Sequence, residues 1–487
     1  MTRINTNVPA LIAQNNLSRS NNALSTSLER LSTGYRINKG SDDPAGLIVS
    51  ERLRTEIAGV GQSIDNVERA SNVIATTEAA LQEISSLLID IKGLVVQASN
   101  TGAFSPAEIQ ANQLQIDSAV ESITRISNTT SFAGLKLLNG NLDYIISGQD
   151  PAALKDIRVH GANFGTADSM PVTVEVLASA QNAGLFLSGN TAGSPGALLS
   201  SVTFEVQGPK GVEVFSFASG TTLSAVVFAV NSMKDSTGIS ASLVDVANQT
   251  SGMTFNSVGY GSDAFVSVRQ LEDGDFFSTF SGQGGSKIER DYGQDVLALV
   301  NGSLALGDGL NVSLNSGNLN LNLTLDAVAA QTTGDVNSFY ITGGGALYQL
   351  GPHVNSANQV GFGIPSVAAS HLGNSVVGYL SSVTAGGDNS LLNDRALEAA
   401  GIIDASIDQI ATLRGRMGAF ERNTLQTTLR SSQVALENLT SSESSIRDTD
   451  FAQETAQLTR AQILQQAGMS TLAIANSSSQ NVLSLLQ

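Results

Sequence analysis

Histidines and carboxylates are the residues of this chain that could do chemistry, and their spacing argues against catalysis. The three histidines, His160, His353 and His371, lie far apart in a sequence of 487 residues. None belongs to a His-Glu-x-x-His zinc motif, and the sequence has neither a P-loop nor a Gly-x-Ser-x-Gly nucleophile turn. Acidic pairs such as Asp273 and Asp275 are typical of solvated loops. Because cysteine is also absent, we predict no enzyme activity, no metal and no cofactor.

The distribution of charge narrows the class of protein. Of the net charge of −18, residues 141–389 hold −13, with 7 basic and 20 acidic side chains, and they hold 34 of the 47 glycines. An acidic chain without basic patches argues against nucleic acid binding. No apolar run is long enough to predict membrane insertion, and residues 1–7 lack the apolar core of a Sec signal peptide. An acidic middle suits an outer, solvated face.

An aliphatic residue recurs at every seventh position in the first third of the chain. These residues are Leu53, Val60, Val67, Ile74, Leu81, Leu88 and Val95. A strict seven-residue repeat predicts a helix that supercoils with a partner, and at ~1.5 Å per residue this one is about 65 Å long. A second row is predicted at Ile57 and Ile64, lapsing at Ser71 and Glu78 and resuming out of register at Ile84 and Ile91. Ile403, Ile410 and Met417 repeat the spacing and are the best candidates to cover the helix.

Helix boundaries can be predicted from capping residues. A first helix is expected from about Pro9 to residue 36, followed by a polar loop from Gly34 to Asp43. Pro44 suits the first turn of the long helix. Ser105, Pro106 and Glu108 form a capping box that begins another helix. A last helix is predicted at about 450–485.

The middle of the chain changes from a period of seven to a period of two. Alternating apolar residues occur at Val172–Val176, Val202–Val206 and Leu319–Leu325, which predicts strands, and a short helix is predicted at Leu223–Met233. The fold class is therefore α+β. Long N- and C-terminal helices are expected to form an antiparallel coiled-coil rod, with a β-rich central insertion.

Several motifs near the two ends carry a resemblance to one protein family. They are RLSTGYRIN at 30–38, DDPAG at 42–46, IRDTDF at 446–451, RAQILQQAG at 460–468 and QNVLSLL at 480–486. Together they resemble bacterial flagellin over about 1–140 and 390–487. Residues 200–245 resemble, more weakly, the hook-IN module of some flagellins and hook-associated proteins.

The resemblance implies a domain organisation and a function. Residues 1–45 and 450–487 would be terminal inner-tube helices, 46–140 and 390–449 the coiled-coil rod domain, and 141–389 a variable, surface-exposed region. The chain would be secreted through type III export and would polymerise into the extracellular filament of the flagellum, which drives swimming. Implied partners are further copies of itself, hook-associated junction and cap proteins, and an export chaperone at the C-terminal helix. Two alternatives stay open, a hook–filament junction protein and a secreted coiled-coil adhesin.

The resemblance also points to residues for subunit assembly in the polar loop and the last helix. They are Arg30, Arg36, Asn38, Asp42, Asp43, Arg460, Gln465, Leu472, Asn481, Leu483 and Leu486. Arg36 is a candidate for bidentate pairing with a carboxylate of a neighbouring subunit, with Asp42 and Asp43 as candidate acceptors. The apolar residues of the last helix have no internal partner in the sequence, which indicates an interaction surface.

Two departures from the family pattern concern receptor recognition. Flagellins that toll-like receptor 5 detects usually carry an arginine on the long helix before the Gln97 motif, where this chain has Asp90. Because Leu88 and Ile91 belong to the apolar rows, Asp90 should point away from the core. The second departure lies in RMGAFERN at 416–423. After the Gly-Ala pair and one further residue, this chain has Glu-Arg-Asn where the family commonly has Gln-Asn-Arg. Replacing a cation by an anion removes a forked donor, so we expect weak recognition.

The substitution Asp90→Arg tests this expectation. It restores the cation and should raise the signal of a toll-like receptor 5 reporter cell line, if this position alone limits recognition. The wild-type protein should be much less potent than a flagellin from an enteric bacterium. Equal potency of the two wild-type proteins in the reporter assay would overturn the expectation.

Overall fold

The computed structural model describes residues 6–165, 167–189, 196–272 and 277–484, with the backbone alone over 478–484. The chain forms two compact units. The first comprises Met1–Ser71, Gln349–Asn358 and Glu421–Gln487. The second comprises Asn72–Tyr348 and Gln359–Phe420.

Long helices dominate both ends of the chain. The helices are α1 (Val8–Thr33), α2 (Pro44–Ala98), α3 (Pro106–Thr129), α4 (Leu223–Ser232), α5 (Lys234–Thr237), α6 (Ala327–Gln331), α7 (Ala396–Phe420), α8 (Gln426–Arg447) and α9 (Phe451–Ser484). A π-helical segment, Glu421–Leu425, joins α7 to α8. The predicted helix starts at Pro44 and Ser105 are confirmed, as are the helices near Pro9, at Leu223 and at 451–484.

Capping side chains explain where these helices begin. The Asn7 side chain accepts a hydrogen bond from the Ala10 N–H at 3.2 Å, and Asp43 accepts from the Gly46 N–H at 2.9 Å. At α3 both halves of the capping box form, and the donors of Ser105 hold the pKa of Glu108 below its usual value. Each contact satisfies backbone donors that a helix start leaves unpaired.

The predicted heptad row on α2 is buried along nearly its whole length. Val60, Val67, Ile74, Leu81, Leu88 and Val95 are each 5% exposed or less, whereas Leu53 is half-buried. The prediction for the second row was wrong. Its buried members are Ser63, Ala70, Thr77, Ile84, Ile91 and Ala98, and the row neither lapses nor shifts. Ile57 and Ile64 are only half-buried. Together the two rows form the seam of α2, in which buried residues follow one another at alternating spacings of three and four. The small residues of the second row let a partner helix come close to this seam.

In the second unit, α7 runs antiparallel to the part of α2 that lies there. Arg414 Nε meets Glu78 Oε1 at 2.8 Å, and Lys92 forms an ion pair with Asp404. Ile403, Ile410 and Met417 on α7 are almost fully buried. The earlier residue of α2 pairs with the later residue of α7, and the later residue of α2 pairs with the earlier residue of α7. The two helices therefore run in opposite directions. The ion pairs place the predicted covering residues of α7 beside the C-terminal half of the heptad rows.

The strands all lie between α3 and α7. They are β1 (Ser131–Phe132), β2 (Leu135–Lys136), β3 (Tyr144–Ser147), β4 (Leu154–Ala162), β5 (Met170–Ala178), β6 (Gly184–Leu187), β7 (Val202–Gln207), β8 (Val212–Phe217), β9 (Ile239–Leu243), β10 (Met253–Ser257), β11 (Phe265–Gln270), β12 (Thr279–Phe280), β13 (Arg290–Tyr292), β14 (Leu297–Val300), β15 (Ser303–Asp308), β16 (Asn311–Asn315), β17 (Leu319–Leu325), β18 (Val336–Gly344), β19 (Ala346–Gln349), β20 (Gln359–Phe362), β21 (Gly373–Asn374) and β22 (Gly378–Tyr379). The strands β1 and β2 pair with each other as a short antiparallel hairpin.

One antiparallel sheet has eight strands in the order β3-β18-β5-β14-β15-β16-β17-β4. The alternation at Val172, Val174 and Val176 and along β17 is confirmed, because these side chains face a common core. That core includes Leu321, Phe339 and other residues of neighbouring strands. The sheet supplies the strand-rich part of an α+β fold.

A separate module lies between β5 and β14 in the sequence. Its two four-stranded sheets are β12-β6-β10-β9 and β13-β11-β7-β8. Phe204, Phe255 and Val226 belong to its core, and the rings of Phe204 and Phe277 stack with centroids 4.7 Å apart. The module includes the segment 200–245, but strands outside that segment complete both sheets.

The seam on α2 can be tested with a matched pair of substitutions. Ile84→Ala removes a side chain that is fully buried and should lower the free energy of unfolding by about 2–5 kcal/mol. Ile89→Ala, at a position 59% exposed on the same helix, should change it by no more than about 0.5 kcal/mol. Urea denaturation of the purified monomers, followed by circular dichroism, measures both. Equal effects of the two substitutions would contradict the assignment of the seam.

Candidate functional site

The two ends of the chain meet as an antiparallel pair of helices, α1 and α9, called here the terminal helix pair. The Asn7 amide donates to the Ala475 carbonyl at 3.0 Å, and the Gln465 amide donates to Asn21 Oδ1 at 2.8 Å. Further along, Arg30 Nη1 lies 3.6 Å from Glu454 Oε2. Residue numbers rise along α1 while those of the partners on α9 fall, so the two helices are antiparallel.

Backbone hydrogen bonds close the end of the pair where α1 stops. Gly34 adopts a left-handed conformation with φ of +77°, which ends α1. Its carbonyl accepts from the Thr449 N–H at 2.8 Å, and the Arg36 N–H donates to the Arg447 carbonyl at 2.7 Å. The Arg36 guanidinium also donates to the Ile446 carbonyl. The motifs at 30–38 and 446–451 therefore bind each other within one chain.

The polar loop after α1 is ordered by its own side chains. Asp42 Oδ2 accepts from the N–H groups of Asn38 and Lys39 at 3.0 and 2.8 Å, and these two donors hold the pKa of Asp42 below its usual value. The Asn38 amide donates to the Tyr35 carbonyl at 3.0 Å. Asp43 caps α2, so Asp42 and Asp43 both serve local turns within this chain.

Small residues lie where α1 and α9 pack against each other. A Cβ added at Gly468 would lie 3.4 Å from Leu17 Cδ1, in ordinary van der Waals contact. Ala13 and Ala461 are buried. Glycine and alanine at these positions let the two backbones approach each other, but they also limit how much apolar surface the pair buries.

Much of the apolar surface of the terminal helix pair remains exposed. Half or more of the side chain is exposed at Val8, Leu11, Ile12, Leu28, Phe451, Ile463, Leu464, Met469 and Ile474. Two helices packed on each other can cover only one face of each, so the other faces keep their apolar residues in solvent. A large exposed apolar surface is typical of proteins that associate with a partner.

The other assembly residues from the sequence lie along α9. Arg460 is exposed, Gln465 binds Asn21, and Leu472 is half-buried. Asn481 and Leu483 fall in the part of α9 whose side chains are not described, and Leu486 lies outside the described residues. On α2, Asp90 is exposed, next to the buried Leu88 and Ile91.

Sequence reasoning missed three residues that hold this site together. Glu454 is 5% exposed and lies beside Arg30. Arg447 lies over the Tyr35 ring, 4.6 Å from its centroid, and its Nη1 lies 3.4 Å from Glu51 Oε1. Asp450 caps α9 by accepting from the N–H of Ala452 at 2.9 Å. All three occur in or beside the IRDTDF motif, so the charged residues of that motif were the available indication.

The histidines do not form a common site. His371 Nδ1 lies 2.9 Å from Ser370 Oγ, while His160 contacts Arg416. Among the described residues, no group of three or more histidine, cysteine, aspartate or glutamate side chains is placed to hold a metal ion. The described helices also include none with the length and apolarity to cross a membrane.

The fold and the terminal helix pair define a class of protein. Unburied apolar faces on both end helices, a long heptad helix and a β-rich middle are the features of a structural subunit that assembles with copies of itself. Family models specify the class further. The bacterial flagellin N-terminal helical region matches residues 4–143, the bacterial flagellin C-terminal helical region matches 400–486, and the flagellin hook IN motif matches 201–259. The chain belongs to the flagellin family.

Individual relatives match over nearly the whole chain. The B-type flagellin of Pseudomonas aeruginosa is 30% identical over 539 residues, covering 99% of each chain. A flagellin of Salmonella rubislaw is 29% identical over 520 residues, and flagellin C of Vibrio cholerae is 28% identical over 487, each with the same coverage.

Solved structures give weaker likenesses. The D2-D3 domains of the flagellar cap protein FliD from Escherichia coli align with 41% of this chain and 97% of theirs, at 20% identity and a TM-score of 0.29. FlgL from Xanthomonas campestris aligns with 80% of this chain and 99% of its own, at 13% identity and a TM-score of 0.27. Scores this low establish neither fold nor partners.

Membership of the family settles the general role. The chain is a structural subunit of the bacterial flagellar filament, and it functions in the extracellular flagellum in motility. The whole-length matches to flagellins favour this role over a hook–filament junction protein or a secreted adhesin. The prediction of a hook-IN module is confirmed, with a longer match than the 200–245 expected.

Two glycine substitutions test the geometry of the terminal helix pair. Gly34→Ala forces an alanine into the left-handed region at the end of α1 and should cost about 1 kcal/mol. The control, Gly61→Ala, falls within α2 where an added Cβ meets nothing within 4 Å, so it should stabilise by about 0.5–1 kcal/mol. We expect the thermal disassembly temperature of purified filaments to fall for the first and rise for the second. No fall with Gly34→Ala would contradict the described end of α1.

Proposed function

We propose that the terminal helix pair is the surface through which copies of this chain associate in the filament. The exposed apolar residues on both helices carry this proposal, because no described residue of the chain covers them. Burying such side chains in contact with a neighbour contributes about 25 cal/mol for each Å² of apolar surface removed from water. Association would therefore bury what the two helices cannot bury on each other.

The polar loop and the charged residues of α9 would set the register of that association. Arg36 is exposed, and a guanidinium has five N–H donors, so donors remain beyond the one that meets Ile446. Asp42 uses Oδ2 for its turn, which leaves Oδ1 as an acceptor for a neighbouring copy. Arg30, Asn38, Asp43, Arg460, Gln465, Leu472, Asn481, Leu483 and Leu486 complete the proposed assembly set.

The division of the chain into functional parts follows the same idea. We infer that residues 1–45 and 450–487 form the inner tube, that 46–140 and 390–449 surround it, and that 141–389 face the solvent. The charge distribution supports this order, because the middle holds −13 of the net −18. Near-neutral ends avoid mutual repulsion where many copies pack together.

Further partners are proposed from the family. The chain would meet junction and cap proteins at the filament ends, and an export chaperone would cover the apolar face of α9 before assembly. Export through the type III apparatus suits a chain without cysteine. The role is that of a building block without catalytic activity, which fits the wide separation of its three histidines in the sequence.

Weak recognition by toll-like receptor 5 is also proposed. Asp90 is exposed on α2, so the carboxylate is available at the surface where a receptor would look for a cation. The exposed apolar residues Ile89, Val96 and Leu114 lie on α2 and α3 as well. A negative charge among them would disfavour a receptor surface shaped for arginine.

A matched pair of charge substitutions tests the role of the terminal helix pair. Ile463→Asp places a charge at a position of α9 that is 62% exposed in the single chain, so the chain should fold and fail to polymerise. The control, Leu306→Asp, changes a residue that is 74% exposed on β15 and should leave polymerisation unchanged. Seeded polymerisation, followed by light scattering and negative-stain microscopy, measures both. Wild-type polymerisation of Ile463→Asp would refute the proposed surface.

A further inference from the structure

Arg416 lies near the C-terminal end of α7 in the second unit. Its side chain is half-buried, and it forms no ion pair with any carboxylate of the described residues. The other arginine of α7, Arg414, is paired with Glu78 at 2.8 Å, and Arg395, the residue before α7, is paired with Glu398 at 3.4 Å. Taking a charge out of water without a partner is costly, so the position of Arg416 calls for an explanation.

The contacts of Arg416 hold its guanidinium in place without neutralising it. Nη1 is hydrogen-bonded to His160 Nδ1, and the guanidinium carbon lies 5.3 Å from the centroid of the Phe362 ring. Burial lowers the pKa of Arg416 to about 10, so the group remains a cation at neutral pH. A fixed guanidinium keeps its remaining N–H groups in a known direction.

His160 supplies a second donor beside this cation. Burial and the nearby charges of Arg416 and Arg158 lower the pKa of His160 to about 3, so the ring is neutral. Because Nδ1 accepts from Arg416, the ring proton must be on Nε2. That atom is buried and has no hydrogen-bond partner among the described residues. An unmet buried donor costs about 1–3 kcal/mol.

Both groups line one cavity of about 360 Å³, within the size range of small-molecule sites. Residues of β4, of the turn between β16 and β17, of β20 and of the C-terminal turn of α7 line it. Amide side chains also line the cavity, at Asn163, Asn318, Asn320 and Gln359. No aspartate or glutamate is among the lining residues.

We propose that this cavity is an oxyanion site, which takes the carboxylate or phosphate group of a small solute between Arg416 and His160. The guanidinium supplies charge and N–H donors, and a small rotation of the His160 ring would bring its buried Nε2–H to the anion as a further donor. An oxyanion carries a negative charge that would pair with Arg416, and its oxygens accept hydrogen bonds such as that from His160 Nε2–H. A cation is disfavoured by Arg416. The amide groups suit a solute that is polar beyond its anionic group.

Binding to the purified full-length monomer tests this site. Sodium phosphate and sodium acetate are titrated in separate series against sodium chloride at constant ionic strength, and the melting temperature is followed. We expect a saturable rise with at least one of the two anions, and the two series show which oxyanion the site prefers. Arg416→Gln should weaken the apparent binding at least tenfold. Arg395→Gln, at the residue just before the same helix, should bind as the wild type does.

A spectroscopic readout keeps the test independent of how well the variant folds. In protein labelled with 15N-histidine, the Nε2 resonance of His160 should shift as the anion is added, with the same midpoint as the melting curve. His353 should not shift. The proposal is overturned if neither anion gives a saturable rise, if Arg416→Gln binds like the wild type, or if the His160 resonance stays unchanged while the melting temperature rises.

Discussion

Two rows of side chains, each with one member at every seventh residue of α2, are buried, and the rest of the structure depends on this burial. Val67, Leu81 and Val95 are close to fully buried, as are Ile84 and Ile91 of the second row. A helix of 55 residues cannot cover such rows by itself, so the chain must return to it. Residues more than three hundred positions later do so at Glu78–Arg414 and Lys92–Asp404. The β-rich middle lies in the sequence between these two helices.

The terminal helix pair shows what happens when the same kind of helix lacks enough partners. On α1 the buried residues are Ala13 and Ser27, both small, while Leu11, Ile12 and Leu28 stay exposed. The α2 seam is completed within the molecule, whereas the exposed surface of the pair is the proposed contact with another copy. On that proposal, one chain separates folding from assembly by giving each its own set of apolar residues.

Much of this fold could be predicted from the sequence, because the determining patterns are local. The capping box at Ser105, the proline at the start of α2 and the alternation along β17 all act within a few residues. The second heptad row could not be found from apolarity, since Ser63, Ala70 and Thr77 are buried for their small size. Arg416 and His160 are 256 positions apart, and nothing in either neighbourhood indicates their contact. The assembly residues were suggested by motifs, whereas Glu454 became visible only beside Arg30.

The module between β5 and β14 has a further consequence for how this protein can change over time. Its entry and exit are adjacent, because Ala178 and Leu297 are partners across neighbouring strands and Gln181 forms a bridge with Gln294. A segment whose two ends already lie side by side can be lengthened, shortened or exchanged at little entropic cost to the sheet that carries it. The eight-stranded sheet thus carries the module at one point, between two of its neighbouring strands. Evolution, or an engineer displaying foreign sequence, can exchange this module and leave the long terminal helices unchanged.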